Sequence, residues 1–244
     1  MKFRLALLCS NLLLVISAYA GDMSEFSAYY QASTNGISGN AERHLIKLDD
    51  DRYRLNISLE AKMAGVSIGD LEQVSEFSVD AGQIKPQHYS YQLSGVKRES
   101  HAISFNWDAN IALSTENEQS WTIVLNDDAL DQLSYQQALA LAISEQPLKS
   151  SSELSFELVD GGVLETQRFR VLGHEVLATP MGKFDSVKLE RIRDDNSGRS
   201  TTIWLASDWD YLLAKIEQIS SSGLRIELAL ENALVAGEQV TPLP

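Results

Sequence analysis

A repeated alternation of apolar and polar residues with a period of two constrains this chain more than any other feature of its sequence. Over residues 53–63, apolar side chains at every odd position alternate with polar or charged side chains at every even position. Five further segments alternate in the same way, with apolar positions at Tyr89, Tyr91 and Leu93; at Ile103, Phe105 and Trp107; at Trp121, Ile123 and Leu125; at Leu154, Phe156 and Leu158; and at Leu224, Ile226, Leu228 and Leu230. Because successive side chains of a strand point to opposite faces, the pattern predicts strands that each have one apolar face and one face in water.

Short turn signals separate these strand patterns. They are Asn35-Gly36, residues 49–51, 80–82, 160–162 and 196–198, and Ser222-Gly223. Such short connections join antiparallel neighbours, since parallel strands need long crossovers. A long twisted sheet seldom stays flat. The sequence therefore predicts a mainly β fold, with a single antiparallel curved sheet or open half-barrel.

One segment, residues 130–147, departs from the period of two. Its apolar residues recur at helical spacing, at Tyr135, Ala138, Leu139, Ala142 and Ile143. Ser134 and Gln137 have the spacing of a capping box, and Pro147 lies just beyond the expected end. We predict one helix of about three turns that packs its apolar stripe on the concave face of the sheet.

Residues 1–20 have the composition of a secretory signal peptide. Two basic residues precede an apolar run over 5–16, and Ala18-Tyr19-Ala20 has the small-x-small form that signal peptidases cut. A membrane anchor is disfavoured because the run is shorter than the ~20 residues that span a bilayer. Lipid attachment at Cys9 is disfavoured because this residue lies inside the run. We predict cleavage after Ala20 and export to the periplasm.

The rest of the chain is predicted to form one domain. Residues 21–236 are assigned to a single β-rich domain and residues 237–244 to a flexible C-terminal tail.

The full chain has a formal net charge of −14, and so acidic a surface argues against nucleic acid as a partner. Cys9 is the only cysteine, so the exported protein would have neither a disulfide nor a reactive thiol. No segment after the signal peptide is apolar enough to span a membrane.

Two patterns resemble catalytic or metal-binding motifs. Residues 65–69, Gly-Val-Ser-Ile-Gly, match the nucleophile elbow of serine hydrolases, in which the serine precedes a helix. Here a strand pattern follows Ser67, which favours a bend between strands, and no catalytic residue is predicted.

The four histidines are far apart in sequence, at positions His44, His88, His101 and His174. They lack the spacing of a metal site, and we predict no cofactor or metal, although ligands from distant strands stay an open alternative.

The aromatic residues give a mild indication of function. If the sheet curls, its apolar face becomes a concave interior lined by aromatic side chains. Two interpretations are open: the helix fills this interior as ordinary core, or a cavity remains for an apolar ligand such as a lipid or acyl chain. The residues predicted to contact such a ligand are Tyr89, Tyr91, Phe105, Trp107, Trp121 and Tyr135.

The segment GHEVLATPMGKFDSVKLERIR, residues 173–193, has the form of a hairpin. Pro180 and Gly182 suit the second and fourth positions of a tight turn. This hairpin, the later segment TTIWLASDWDYLLAKIEQ and the helix start Leu-Asp-x-Leu-Ser-Tyr at 130–135 are similar to motifs of the exported bacterial family called domain of unknown function 3108, in the same order. One departure is Ser207, where the family pattern leads us to expect proline.

The resemblance implies a secreted, β-rich envelope protein and provides no catalytic residue that could be carried over. The expected sheet around a helix also resembles the half-barrel of periplasmic lipoprotein carriers and sensors, an analogy of fold alone. The leading hypothesis is a non-enzymatic periplasmic protein that holds an apolar ligand in its interior. The alternatives are an envelope interaction module that binds a protein partner through a sheet edge or its acidic face, and a hydrolase that uses Ser67.

Overall fold

The computed structural model describes residues 23–34, 37–64, 66–145, 148–193 and 198–244. The predicted signal peptide, with Cys9, lies outside these ranges, as do the turn at Asn35-Gly36 and Pro147.

Within the described residues the chain forms sixteen strands and one helix. The first half of the chain contributes β1 (Phe26–Thr34), β2 (Ile37–Lys47), β3 (Arg52–Met63), β4 (Val66–Asp80), β5 (Gln83–Gly95), β6 (Glu99–Asn106), β7 (Ile111–Glu116) and β8 (Gln119–Val124). The second half contributes β9 (Ala129–Leu130), α1 (Ser134–Glu145), β10 (Glu153–Asp160), β11 (Val163–Thr179), β12 (Gly182–Ile192), β13 (Ser200–Ala206), β14 (Leu212–Ile219), β15 (Arg225–Val235) and β16 (Glu238–Gln239). The predicted strands and the predicted helix are all present.

The strands form one large sheet that is not closed. Two meanders, β1 to β8 and β10 to β15, are joined because β1 pairs with β15, and β16 adds to the outer part of β15. The neighbouring strands are antiparallel except for β9 and β10, which form a parallel pair of two residues each. The prediction of a single open curved sheet with one helix is confirmed, with this short parallel pair as an addition.

The helix α1 packs on the concave side, where Leu139 and Ile143 are buried. Its N-terminus differs from the prediction of a Ser134–Gln137 capping box. Asp131 Oδ1 accepts the backbone N–H groups of Leu133 and Ser134, both at 2.7 Å, and Ser134 Oγ accepts the N–H of Asp131 at 3.0 Å. The reciprocal cap therefore lies three residues earlier, because the Asp131 side chain reaches the free N–H groups first.

The hairpin at 173–193 is confirmed as the junction of β11 and β12, with Thr179 opposite Gly182. The last residues of the chain contact this hairpin. Val240 is buried, and Leu243 forms a β-bridge with Lys183. From the sequence we expect a flexible tail at residues 237–244. In the structure this segment contacts the sheet through Val240 and Leu243.

Two hydrophobic clusters share the concave side of the sheet. One is built from β1, β2 and β11 to β15 together with the helix, and the other from β2 to β8 with β9 and β10. Phe26, Tyr135 and Phe156 pack against both clusters. No helix of the described part of the chain is long and apolar enough to cross a membrane. The helix start therefore lies where the two clusters meet, and this is where a site can form.

An apolar cavity with a buried arginine

A cavity of about 670 Å³ lies between α1 and the sheet. Its volume falls within the range of small-molecule sites, about 300–1,000 Å³. The walls come from three parts of the fold: Tyr135, Gln136, Leu139 and Ala140 of α1; Phe26, Arg43 and Leu45 of β1 and β2; and Ile203, Leu205, Leu212, Leu213 and Ile216 of β13 and β14. The helix therefore does not fill the whole interior of the sheet.

The apolar wall of the cavity follows from strand alternation. Ile203 and Leu205 are two residues apart in β13, so they point to the same face, and both line the cavity. Their cross-strand partners in β14 are Ile216 and Leu213, which also line it. Aliphatic side chains opposite one another give this wall no hydrogen-bonding group, so it suits a hydrocarbon.

Arg43 is the exception in this wall. It is only 2% exposed, and on β2 it occupies the same face as the buried Ala41 and Leu45. Its Nη2 donates to Gln136 Oε1 at 2.9 Å, and its guanidinium lies 5.9 Å from the centroid of the Phe26 ring. Its Nε is buried without a hydrogen-bond partner. Among the described residues no carboxylate forms an ion pair with Arg43.

Two phenols lie beside this arginine, Tyr30 fully buried and Tyr135 partly buried. The Tyr30 hydroxyl donates to the Leu213 carbonyl at 2.9 Å, and burial raises the pKa of Tyr30 while Arg43 acts in the opposite direction. Burial also raises the pKa of Tyr135, and the positive charges of Arg191, Arg43 and Arg193 oppose this shift. Three arginines therefore act on one phenol inside a protein whose net charge is −14.

A buried carboxyl fixes the start of the helix to the sheet. Asp131, which is 0% exposed, accepts a hydrogen bond at 2.6 Å from the Ser75 hydroxyl on β4 through Oδ2, while Oδ1 caps the helix. Burial raises the pKa of Asp131, and the hydrogen bonds from Ser75, Ser134 and Leu133 act against that shift. Through this residue the sheet sets the position of Tyr135 and Gln136, one turn further along.

Among the six residues predicted to contact a ligand, Tyr135 lines the cavity. The other five, Tyr89, Tyr91, Phe105, Trp107 and Trp121, lie in or against the second cluster. Phe105 stacks on Trp107 with centroids 5.8 Å apart, and the Trp107 Nε1–H donates to the Pro86 carbonyl at 2.7 Å. Trp121 lies so close to the β10–β11 turn that a Cβ on Gly162 would be 2.8 Å from its ring. These five residues therefore pack within or against the second cluster and do not line the cavity.

The sequence prediction missed Arg43 and Gln136. A signal for Arg43 is present, since a charged residue between Ala41 and Leu45 occupies a position where the alternation predicts an apolar side chain. Gln136 carries no comparable signal. It adjoins the predicted apolar stripe of the helix, and its role depends on a contact with a residue 93 positions away.

The resemblance of residues 65–69 to a nucleophile elbow is not matched by the fold. Ser67 lies near the start of the 15-residue strand β4, opposite Lys62 of β3. A nucleophile elbow needs a strand followed by a sharp turn into a helix, and β4 continues to a hairpin with β5 instead. The bend between strands is the reading that the structure supports.

Of the four histidines, His101 lies in a group with metal-ligand chemistry. Ligand atoms of Glu99, His101 and Glu116 lie within 4.8 Å of one another at the ends of β6 and β7. His101 Nε2 and Glu116 Oε1 are 3.5 Å apart. Each of the three residues is partly exposed, and Glu99 is paired with Lys97 at 3.0 Å. Partly exposed carboxylates, one of them already paired with a lysine, do not by themselves make a metal site with a neighbouring histidine.

The open sheet, its single helix and the 173–193 hairpin agree with the motifs noted in the sequence. The sequence profile of the family described as "Protein of unknown function (DUF3108)" matches residues 25–229. The chain belongs to the DUF3108 family. This confirms the resemblance inferred from the hairpin, the Trp-Leu-Ala segment and the helix start. No protein with a curated description matches the sequence.

Solved structures extend the comparison to the fold of this DUF3108 protein. A crystal structure of a beta-barrel-like protein of DUF1849 from Brucella abortus has a TM-score of 0.58 at 10% sequence identity, covering 87% of this chain and 98% of that one. A Bacteroides fragilis protein described as exported, with a YmcC-like fold, has a TM-score of 0.39 at 9% identity, covering 86% of this chain and 94% of that one. At such identities the first similarity concerns the fold alone.

Proposed function

We propose that this DUF3108 protein is a non-enzymatic periplasmic protein that binds an apolar ligand, a lipid or acyl chain, in the cavity beneath α1. The observation that carries the proposal is the cavity itself, about 670 Å³ with aliphatic walls from β13 and β14. An apolar wall favours a hydrocarbon over water, because contact with the hydrocarbon removes apolar surface from water. The signal-like residues 1–20 support export to the periplasm.

Tyr135 is the ligand contact that we propose among the six aromatic residues predicted from the sequence. It lines the cavity, and it stacks on Phe169 with ring centroids 5.6 Å apart, which holds its orientation. The five residues of the second cluster remain a prediction. Replacing Trp107 with leucine tests it, because a ligand contact would change affinity whereas a core residue would change stability.

Native mass spectrometry of the protein purified from its host tests the proposal directly. We expect a copurified lipid, together with uptake of the apolar fluorophore N-phenyl-1-naphthylamine. Ala140→Trp should reduce this uptake because Ala140 lines the cavity. Ala109→Trp, the same change in an exposed turn, should leave it unchanged. Absence of both bound lipid and fluorophore uptake would overturn the proposed function.

A second candidate is an envelope interaction module that binds a protein partner through a sheet edge. The observation that favours it is β8, which ends the sheet and pairs with β7 alone among the described strands. An edge strand offers free backbone groups for an added strand, and Val124 at its end is 76% exposed. A photocrosslinker at Val124 should then trap a specific partner, while one at the exposed Leu234 of β15, which has paired strands on both sides, should not. Equal yields at both positions would count against the module.

A further inference from the structure

We propose that the ligand is a single-chain anionic amphiphile, with its carboxylate or phosphate head group bound by Arg43 and its tail in the apolar part of the cavity. This inference rests on the proposed function and adds the chemical class of the ligand. The juxtaposition that carries it is a buried guanidinium, with no carboxylate partner among the described residues, in the wall of a cavity whose lining is mostly apolar.

The first step is the unbalanced charge of Arg43. Buried charges in proteins are normally paired or fully hydrogen-bonded, because removing them from water is costly. Arg43 has hydrogen bonds to Gln136 and to the Tyr30 hydroxyl and a contact with the Phe26 ring, but its Nε has no partner. An anion in the cavity would complete its hydrogen bonding and balance its charge, since a guanidinium binds carboxylates and phosphates through paired N–H donors.

The second step is the charge around Arg43. Arg191 and Arg193 at the end of β12 act on the same phenol, Tyr135, as Arg43 does. Two carboxylates, Glu145 and Asp210, also line the cavity. Neither forms an ion pair with Arg43 among the described residues. Arg191 is paired with Glu165 at 3.2 Å, so the positive charge that the cavity wall itself offers to an anion is that of Arg43.

The third step is the arrangement of donors. Gln136 Oε1 accepts the bond from Arg43, which leaves the N–H groups of the same amide free to donate to a second oxygen of the head group. Leu139 and Ala140 line the cavity one turn further along the same helix. A head group at Arg43 would therefore place its hydrocarbon chain along the apolar face of α1.

A purely structural role is the competing explanation, in which Arg43 serves only to tie α1 to β2 through Gln136. In that role Arg43 would contribute to stability, and the affinity of the protein for a ligand would not depend on the charge of the ligand. The preference of the protein for an anionic over a neutral amphiphile therefore separates the two explanations, because a tether has no reason to discriminate between them.

Isothermal titration calorimetry with laurate, dodecyl phosphate and dodecanol tests the inference, with the two anions below their micelle concentrations and dodecanol below its solubility limit. We expect the wild-type protein to bind at least one of the two anions roughly ten- to a hundred-fold more tightly than dodecanol, as one charge-assisted contact provides. Arg43→Met should abolish this preference while dodecanol still binds. Arg43→Lys should keep part of it, because lysine retains the charge and loses the planar fork. The control is Arg225→Met, at a side chain that is 60% exposed and does not line the cavity.

Each outcome decides something different. Binding of none of the three ligands would overturn the proposed function, and the anionic head group with it. Equal binding of dodecanol and both anions, or a preference that survives Arg43→Met, would overturn this inference and leave the proposed function intact. Preference for laurate would identify a fatty-acid carboxylate, and preference for dodecyl phosphate a phosphate head group. If Arg43→Met does not fold, the preference of the wild-type protein for an anion and its reduction in Arg43→Lys still test the inference.

Discussion

Replacing Asp131 with alanine should detach the start of α1 from the sheet. The carboxyl is fully buried, caps two backbone N–H groups and accepts the Ser75 hydroxyl. Losing an N-cap costs about 1 kcal/mol, and losing the charge-assisted bond while leaving the buried Ser75 hydroxyl unpaired costs roughly 1.5–3 kcal/mol. We expect the free energy of unfolding to fall by about 3 kcal/mol. For a domain of this size that is a melting temperature about 6–12 °C lower.

Thermal and urea unfolding followed by circular dichroism measure this change, with Asp131→Asn as the matched control. The asparagine keeps an acceptor for both N–H groups and can donate to the Ser75 oxygen, so it should lose much less than the alanine variant. Equal losses in the two variants would refute the reasoning, because the effect would then come from the charge and not from the hydrogen bonds.

The difference in stability between the wild-type protein and Asp131→Asn should depend on pH, because Asp131 is buried. Because the pKa of Asp131 is raised in the folded protein, the folded state holds this proton more tightly than the unfolded chain does. The contribution of the group to stability is complete below the unfolded pKa, and it is lost as the pH rises through the folded pKa. Wild-type stability should therefore rise relative to Asp131→Asn as the pH is lowered towards the ordinary pKa of aspartate. A constant difference across that range would contradict the raised pKa.

Three further predictions concern other parts of the fold. Gly182→Ala should destabilise the protein by about 1–3 kcal/mol more than Gly223→Ala. Both glycines have positive φ, but a Cβ at Gly182 would overlap Pro242, whereas a Cβ at Gly223 would meet nothing within 4 Å. Urea unfolding of the two variants measures this, and equal losses would contradict the clash. Leu139→Ala should cost roughly 2–5 kcal/mol because it empties a buried site beneath the helix; calorimetric unfolding measures the loss, and a negligible change would mean that the helix does not depend on this contact. A fluorophosphonate probe should not label Ser67, and labelling that disappears in Ser67→Ala would revive the hydrolase hypothesis.

The outcomes for individual elements show where sequence patterns were sufficient. The alternation over residues 53–63 predicted β3, and the helical spacing over 130–147 predicted α1, because both signals depend only on which face of a local element is apolar. The Pro180–Gly182 turn was predictable for the same local reason. The helix cap was not, because Asp131 and Ser134 are both good capping residues and their choice depends on a contact with Ser75 of β4.

The site was less accessible to sequence reasoning than the fold. Tyr135, which lines the cavity, was selected because aromatic residues on an apolar face were counted as candidates. The same criterion also selected Tyr89, which is buried in the second cluster. Alternation tells which face a side chain occupies, but not whether a neighbouring side chain fills the space in front of it. That depends on where the helix lies over the sheet.

Periodicity, turn residues and family motifs, all local features, were thus enough to predict an open antiparallel sheet with one helix and membership of the DUF3108 family. The pairing of β1 with β15, the void beneath α1 and the burial of Arg43 were decided by tertiary structure. Phe26 meets Val235 across that strand pair, and Arg43 meets Gln136 across 93 residues. Contacts over such distances in sequence depend on how whole elements pack, and packing determines both the space left for a ligand and the charge left without a partner.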